Sequence, residues 1–248
     1  MVFGCRESLL VKAMILAAGE GRRMRPLTDK LPKPLIRVGG QPLIERHLIR
    51  LRESGFTEIV VNVSYLGEQL EQFLGNGEEW DLKIIVSREP EPLETAGGIK
   101  RALPLLGDEP FLVVSGDIYT EFDFAHIRNT VLGENLAHLV LVENPPHHRA
   151  GDFGLEGERV VAESAGIILA DPVKQANPNF TYAGIGVYCR SFFDSCNLAK
   201  IPLKPLMLSA ANSKKLTGEF FAGFWTDVGT PDRLKALNEC LDMRPVER

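Results

Sequence analysis

The sequence predicts an α/β fold: a doubly wound, mostly parallel sheet flanked by helices, with a small antiparallel β lobe and no C-terminal β-helix domain. Three observations carry that expectation. Short apolar runs alternate with amphipathic stretches of helical length up to about residue 145, the pattern of parallel strands covered on both faces. Past that point, turn residues and short alternating runs take over, as antiparallel pairing requires. The 248 residues, 44% hydrophobic and 25% charged, suffice for one sizeable core, and no internal repeat or low-complexity segment interrupts them.

The elements follow in order. The opening MVFGCRESLL has no clear periodicity, so residues 1–11 read as a non-native or disordered extension ahead of a start at Val11 or Met14. A single unit then spans 12–242, its halves meeting near 145. KAMILAA (12–18), EIVVNVS (58–64), LKIIVS (82–87), PFLVVSG (110–116) and AHLVLVE (137–143) are the buried strands. Between them, QPLIERHLIRLRESG (41–55) has Pro42 near its first turn, apolar residues at Leu43, Ile44, Leu48 and Leu51, and Gly55 as a stop. The stretches 67–75, 95–107 and 122–133 read as helices by the same logic. In the second half, FTYAGIGVYC (180–189) is a strand, a helix starts near Leu203, a strand pair ends in FFAGFWTDVG (220–229), and a last helix runs from Pro231 to about Leu241.

Composition narrows the function classes. A net charge of −5 excludes a general nucleic-acid binder, because phosphate-backbone binding needs a basic face. Four cysteines without a C-x-x-C pair point to a reduced, cytoplasmic setting rather than a secreted disulfide scaffold. No uncharged apolar run approaches the roughly 20 residues that span a bilayer, so no membrane partner is expected. The chain is expected to be a monomer or small homo-oligomer.

The stretch ILAAGEGRRMRPLTDKLPKPL (15–35) stands out in this acidic chain, with five cations against two anions between Gly19 and Pro34. It follows the first strand, where open α/β sheets bind ligands. Gly19 and Gly21 allow close backbone approach, and exposed N–H groups in such a turn form an anion cradle. The string G-x-x-x-x-G-K-[ST] is absent, which excludes a P-loop. A dinucleotide fingerprint needs a third small residue where GEGRRM has Met24. A glycine turn with a solvated basic face is the bland alternative. Pro32 and Pro34 weigh against it, since two prolines around Lys33 pin the backbone and aim one ammonium. Farther on, Asp117 in VVSGDIY and Asp227 in FWTDVGT end apolar strands, and either could equally be a turn former or helix N-cap. Thr95 in ETAGGIKRAL is a good N-cap in its own right, or one of several backbone groups offered at a helix N-terminus.

LAAGEGRRMRPLT, then PKPL, then VGGQPLIE resembles the signature of the sugar-phosphate nucleotidyltransferases, the pyrophosphorylases that make nucleotide sugars. The resemblance covers nearly all of 12–240 and implies a Rossmann-like, GT-A-like sheet, nucleotide binding by residues 12–145 and sugar binding by 146–242. By position, it implies that Ala18, Gly19, Glu20, Gly21, Arg22, Thr95 and Gly98 contact the nucleotide. Arg23 would grip the departing pyrophosphate, Lys33 would neutralise the α-phosphate, and Asp117 and Asp227 would hold Mg2+. Arg22 stands where the family usually has Thr or Ser.

On the sugar side the E-K-P motif of the common thymidylyltransferases is missing from 150–180, and VENPPHHRAGDFGL stands instead. This resembles short bacterial uridylyltransferases that act on N-acetylmuramate 1-phosphate in peptidoglycan recycling. That likeness implies Ser115, Asp152, Gly154, Thr181 and Gly184 as sugar contacts, with UTP and a sugar 1-phosphate as substrates and pyrophosphate as a product. His147 and His148, beside two prolines, read as structural or solvated, and Arg149 is the candidate partner for a sugar carboxylate. Mannose-1-phosphate guanylyltransferase, glucose-1-phosphate nucleotidyltransferase, phosphocholine cytidylyltransferase and a regulatory module without turnover remain open at this point.

Overall fold

A computed structural model describes residues 12–162 and 179–244, so the expected extension over 1–11 lies outside the described residues. In chain order the strands are β1 (Lys12–Leu16), β2 (Arg37–Val38), β3 (Gln41–Pro42), β4 (Glu58–Val63), β5 (Lys83–Arg88), β6 (Phe111–Ser115), β7 (Ile118–Thr120), β8 (Ala137–Val142), β9 (Phe153–Glu156), β10 (Arg159–Ala162), β11 (Thr181–Tyr188), β12 (Leu216–Phe220) and β13 (Trp225–Asp227). The helices are α1 (Leu43–Glu53), α2 (Gly67–Leu74), α3 (Glu94–Leu106), α4 (Phe124–Ile127), α5 (Lys204–Asn212) and α6 (Pro231–Asp242). Nine strands form one sheet in the order β5-β4-β1-β6-β11-β8-β12-β10-β9, with β5, β4, β1 and β6 parallel.

Alternation along the strands produces the double winding. Ala13, Ile15, Ile59, Val61, Leu112 and Val114 face one side of the sheet, where Ile44, Leu48 and Leu51 of α1 and Leu70 and Leu74 of α2 cover them. Met14, Val60 and Val113 face the other, against Ile99, Leu103 and Leu106 of α3 and Met207 and Ala210 of α5. Strands buried on both faces have no polar side to show, hence their near-continuous apolar runs. Each fully buried Leu or Ile contributes about 1.5–3 kcal/mol relative to exposure. α1 stops where Gly55 adopts φ +84°, and α3 stops at Gly107 with φ +88°, a conformation cheap only for glycine.

Three expectations change. The segment 122–133 forms only the four-residue α4, capped by the Asp123 carboxylate accepting from Ala125 N at 2.9 Å. Asn129, Thr130 and Val131 are weak helix formers, and Gly133 turns at φ +57°. The strand pair near 220–229 is split: β12 joins the main sheet parallel to β8, while β13 pairs antiparallel with β7 in a separate ribbon. The antiparallel lobe is the hairpin β9–β10, which extends the main sheet beyond β12 instead of standing apart. β11 runs antiparallel to both neighbours. Among the described residues no helix is long and apolar enough to cross a membrane.

Candidate active site

Strand ends and one loop build the cleft. After β1 the chain crosses Gly21 at φ +63°, where an added Cβ would sit 2.9 Å from Thr28 Cγ2, so the loop folds back on itself too tightly for a side chain. The Thr28 hydroxyl donates to Gly21 O at 2.9 Å and locks that turn. Met24 is fully buried with Ile36, Val38, Leu43, Tyr119, Val228 and Leu237. This anchor explains the large residue at a position where a dinucleotide fingerprint needs a small one. With Met24 inward, Arg23 lines the cleft, whereas the Arg22 side chain is 76% exposed and pairs with Glu20 at 2.5 Å. Lys33, between its two prolines, is mostly buried and donates to the Asp117 carboxylate.

The floor is polar and fully bonded. Asn62, in the middle of apolar β4, accepts from Ala17 N at 2.7 Å and donates to Glu89 Oε1 at 2.7 Å. Glu89 in turn accepts from Leu93 N at 2.9 Å at the start of α3. Gly98 packs directly behind this pair, and a Cβ there would lie 2.5 Å from Glu89 Oε1. Gly98 is thus a packing position behind the cleft wall, not part of its lining. α3 itself begins at Glu94, so Thr95 sits inside the first turn and lines the cleft instead of capping the helix.

Asp117 follows β6, and its backbone carbonyl accepts from Val228 N at 2.7 Å. The β7–β13 register sets Asp227 opposite Ile118, so both carboxylates meet at one edge. Arg233 of α6 reaches both Asp227 oxygens at 2.5 Å and His147 Nε2 at 2.6 Å, and His147 lies 3.1 Å from Asp227. Behind Asp117, His47 of α1 is buried and hydrogen-bonded to the backbone at Ile118, while its Nε2 has no partner. Burial, helped by the Arg50 charge, pushes its pKa down to about 4, so the ring is neutral near pH 7.

The cleft has two chambers of about 580 and 550 Å³ that share Arg23, Thr95, Ser115 and Asp117. The first gathers Ala18, Gly19, Glu20, Gly21, Arg22 and Lys33 with Asn62, Glu89 and Lys200. The second gathers Asp152, Thr181, Gly184 and Asp227 with His147, His148, Lys204 and Arg233. Gly184 has φ +76° and a Cβ there would lie 2.7 Å from Ser115 Oγ, so only glycine fits. Gly154 does not line the chamber; a Cβ there would press on Val161 of β10 at 2.8 Å. Asp152 receives Lys204 Nζ at 2.8 Å, His148 Nε2 at 3.2 Å and Tyr182 N at 3.0 Å. Burial works against its charge, but the Lys204 ammonium and the Tyr182 N–H outweigh it and hold its pKa below the usual value.

Sequence reasoning missed Asn62, Glu89, Lys200, Lys204 and Arg233, and set aside the two histidines. Asn62 carried a readable signal, an amide inside an apolar strand that demands a buried partner. Arg149 is exposed and outside the cleft lining. Among the described residues no group of three or more His, Cys, Asp or Glu could hold a metal, leaving the two-carboxylate pair. That donor set suits a hard cation that takes its remaining ligands from phosphate and water.

Comparison with known proteins fits this geometry. The chain is 46% identical over 230 residues to the N-acetylmuramate alpha-1-phosphate uridylyltransferase of Neisseria meningitidis serogroup B, covering 91% of this chain and 96% of that one. It is 32% identical over 241 residues to a probable mannose-1-phosphate guanylyltransferase of Oryza sativa, spanning 94% of this chain and 65% of that protein. Among solved structures, a putative glucose-1-phosphate thymidylyltransferase from Bacillus anthracis superposes with a TM-score of 0.80 at 20% identity, over 96% of this chain and 97% of that one. The nucleotidyl transferase family model matches residues 12–242, so the chain that brings this loop, these strand ends and these carboxylates to one cleft belongs to the nucleotidyl transferase family.

Proposed function

We propose that this nucleotidyltransferase moves a uridylyl group from UTP to N-acetylmuramate 1-phosphate, giving the UDP-sugar and pyrophosphate. The observation that carries the reading is the pair of chambers meeting at Asp117, one glycine-rich and presenting Arg23 and Lys33, the other lined with polar groups suited to a sugar. Near full-length likeness to a protein named for that activity supports the choice of substrates. N-acetylmuramate is a cell-wall sugar, which agrees with a cytoplasmic enzyme of peptidoglycan recycling.

An oxygen of the sugar's 1-phosphate attacks the α-phosphorus of UTP in line. The new P–O bond forms as the bond to the β-phosphate bridging oxygen breaks, and pyrophosphate leaves. A phosphate monoester is already nucleophilic near pH 7, so no general base is needed and positioning with charge neutralisation carries the rate. Lys33 faces the α-phosphate and Arg23, on the wall common to both chambers, takes the charge that builds on the leaving group. Asp117 and Asp227 would hold Mg2+, which when bound neutralises phosphate charge. Asn62, Glu89 and Leu93 keep the wall around Ala17 and α3 rigid. Asp152 accepts hydrogen bonds from sugar hydroxyls. A panel crossing four nucleoside triphosphates with N-acetylmuramate, N-acetylglucosamine, mannose and glucose 1-phosphates, read by pyrophosphate release, tests this. Fastest turnover with UTP and N-acetylmuramate 1-phosphate is expected, and a clear preference for GTP with mannose 1-phosphate would replace the reading.

A further inference from the structure

In the second chamber, donors crowd onto one carboxylate. Asp152 is a single negative charge, yet Lys204 Nζ and His148 Nε2 both lie on the same oxygen, at 2.8 and 3.2 Å, while Tyr182 N takes the other. Lys204 is also the first residue of α5, a nine-residue helix with no side-chain cap and no acidic residue in its first turn. The positive end of a helix repels a cation, so a lysine there is unfavourable unless an anion compensates it. Asp152 supplies part of that compensation, but the Lys204 side chain remains about half exposed to the chamber. Lys33 is paired with Asp117 and Arg233 with Asp227, and Arg23, on the wall common to both chambers, is already assigned to the leaving pyrophosphate.

We propose that Lys204 is the specificity-determining residue that receives a carboxylate carried by the sugar, so that this chamber selects acidic sugar phosphates over their uncharged counterparts. Asp152 holds hydroxyls while the Lys204 ammonium, seated where α5 begins, donates to the substrate carboxylate. This rests on the sugar-phosphate reading above and names the feature of the sugar that the site reads. Discrimination of this kind comes from an extra charge-assisted bond that the acidic sugar makes and a neutral sugar lacks.

The test measures kcat/KM with UTP for N-acetylmuramate 1-phosphate and for N-acetylglucosamine 1-phosphate, which lacks only the lactyl acid. Both are measured in the wild type, Lys204→Met and Lys204→Arg. A charge-assisted hydrogen bond implies a fall of roughly 10–100-fold for the acidic acceptor in Lys204→Met. The neutral acceptor, which loses only the support Lys204 gives Asp152, should fall clearly less than the acidic one, and Lys204→Arg should keep the preference for the acid. Equal falls on both acceptors would mean that Lys204 only steadies Asp152, and would overturn the proposal. An unchanged ratio would overturn it too. If the wild type itself releases no pyrophosphate with the acidic acceptor, the functional reading fails first, visibly in a different column of the same experiment.

Discussion

Replacing His47 with glutamine should flatten the acid sensitivity of the fold. The ring is buried, its pKa lies near 4 against 6.5 for an unperturbed histidine, and one nitrogen has no partner. A depressed folded-state value means that the unfolded chain takes up a proton first. The neutral ring therefore imposes no penalty above pH 6.5, and the penalty grows as pH falls from 6.5 toward 4. Linkage between those two values gives a cost of about 0.2 kcal/mol at pH 7 and about 2 kcal/mol at pH 5, rising to a limit of about 3 kcal/mol. Against a typical total of roughly 5–15 kcal/mol, that is a measurable share. Urea unfolding at pH 7 and pH 5 should show the wild type losing about 2 kcal/mol more than His47→Gln. All other ionisable groups are common to the two proteins and cancel in the difference. Parallel losses in the two proteins would refute the burial argument.

The other expectations concern the cleft. Asp117→Ala removes a carboxylate from the edge shared by both chambers; turnover should fall at least about a thousandfold while circular dichroism keeps the wild-type spectrum, with some loss of melting temperature because Lys33 loses its partner, and near-normal turnover would defeat its assignment to the metal. Chelation with EDTA should abolish pyrophosphate release, and added Mg2+ should restore it; activity that survives chelation would sink the two-carboxylate site. Gly98→Ala drives a Cβ to 2.5 Å from Glu89 Oε1 and 2.8 Å from Asn62 Nδ2. It should cost roughly 1–3 kcal/mol of stability and raise KM for the nucleotide, and an unaltered melting curve would show that the wall can give.

Much of this architecture was legible because local and global demands agree. The alternation of Met14 against Ala13 and Ile15 needs cover on two faces, and β1, β4, β5, β6 and β8 needed only that pattern to be located, whereas β2, β3 and β7 are too short to show one. Direction is different. Nothing in FTYAGIGVYC says that β11 runs antiparallel between β6 and β8, because a strand buried on both faces reads the same either way. The loop around Lys33 was visible through its prolines and its charge. Lys204 and Arg233 were not, since each sits on a helix whose sequence looks like an ordinary amphipathic surface, and only the packing of α5 and α6 turns them toward the cleft. The histidines misled for the opposite reason: a Pro-Pro turn suggests a solvated tip, but here it folds back onto Asp227 and Asp152.

β7 and β13 bind each other and neither joins the main sheet. Their three-residue ladder, with Val228 N on Asp117 O beside it, brings Asp227 to Asp117 across a long stretch of sequence. During synthesis the loop, Lys33 and β6 leave the ribosome before β13 and the α6 arginine that steadies it. A nascent or stalled chain can thus close its nucleotide cradle while Asp117 still lacks its companion and the edge of β7 is unpaired. The carboxylate pair is complete only once that short ribbon has formed.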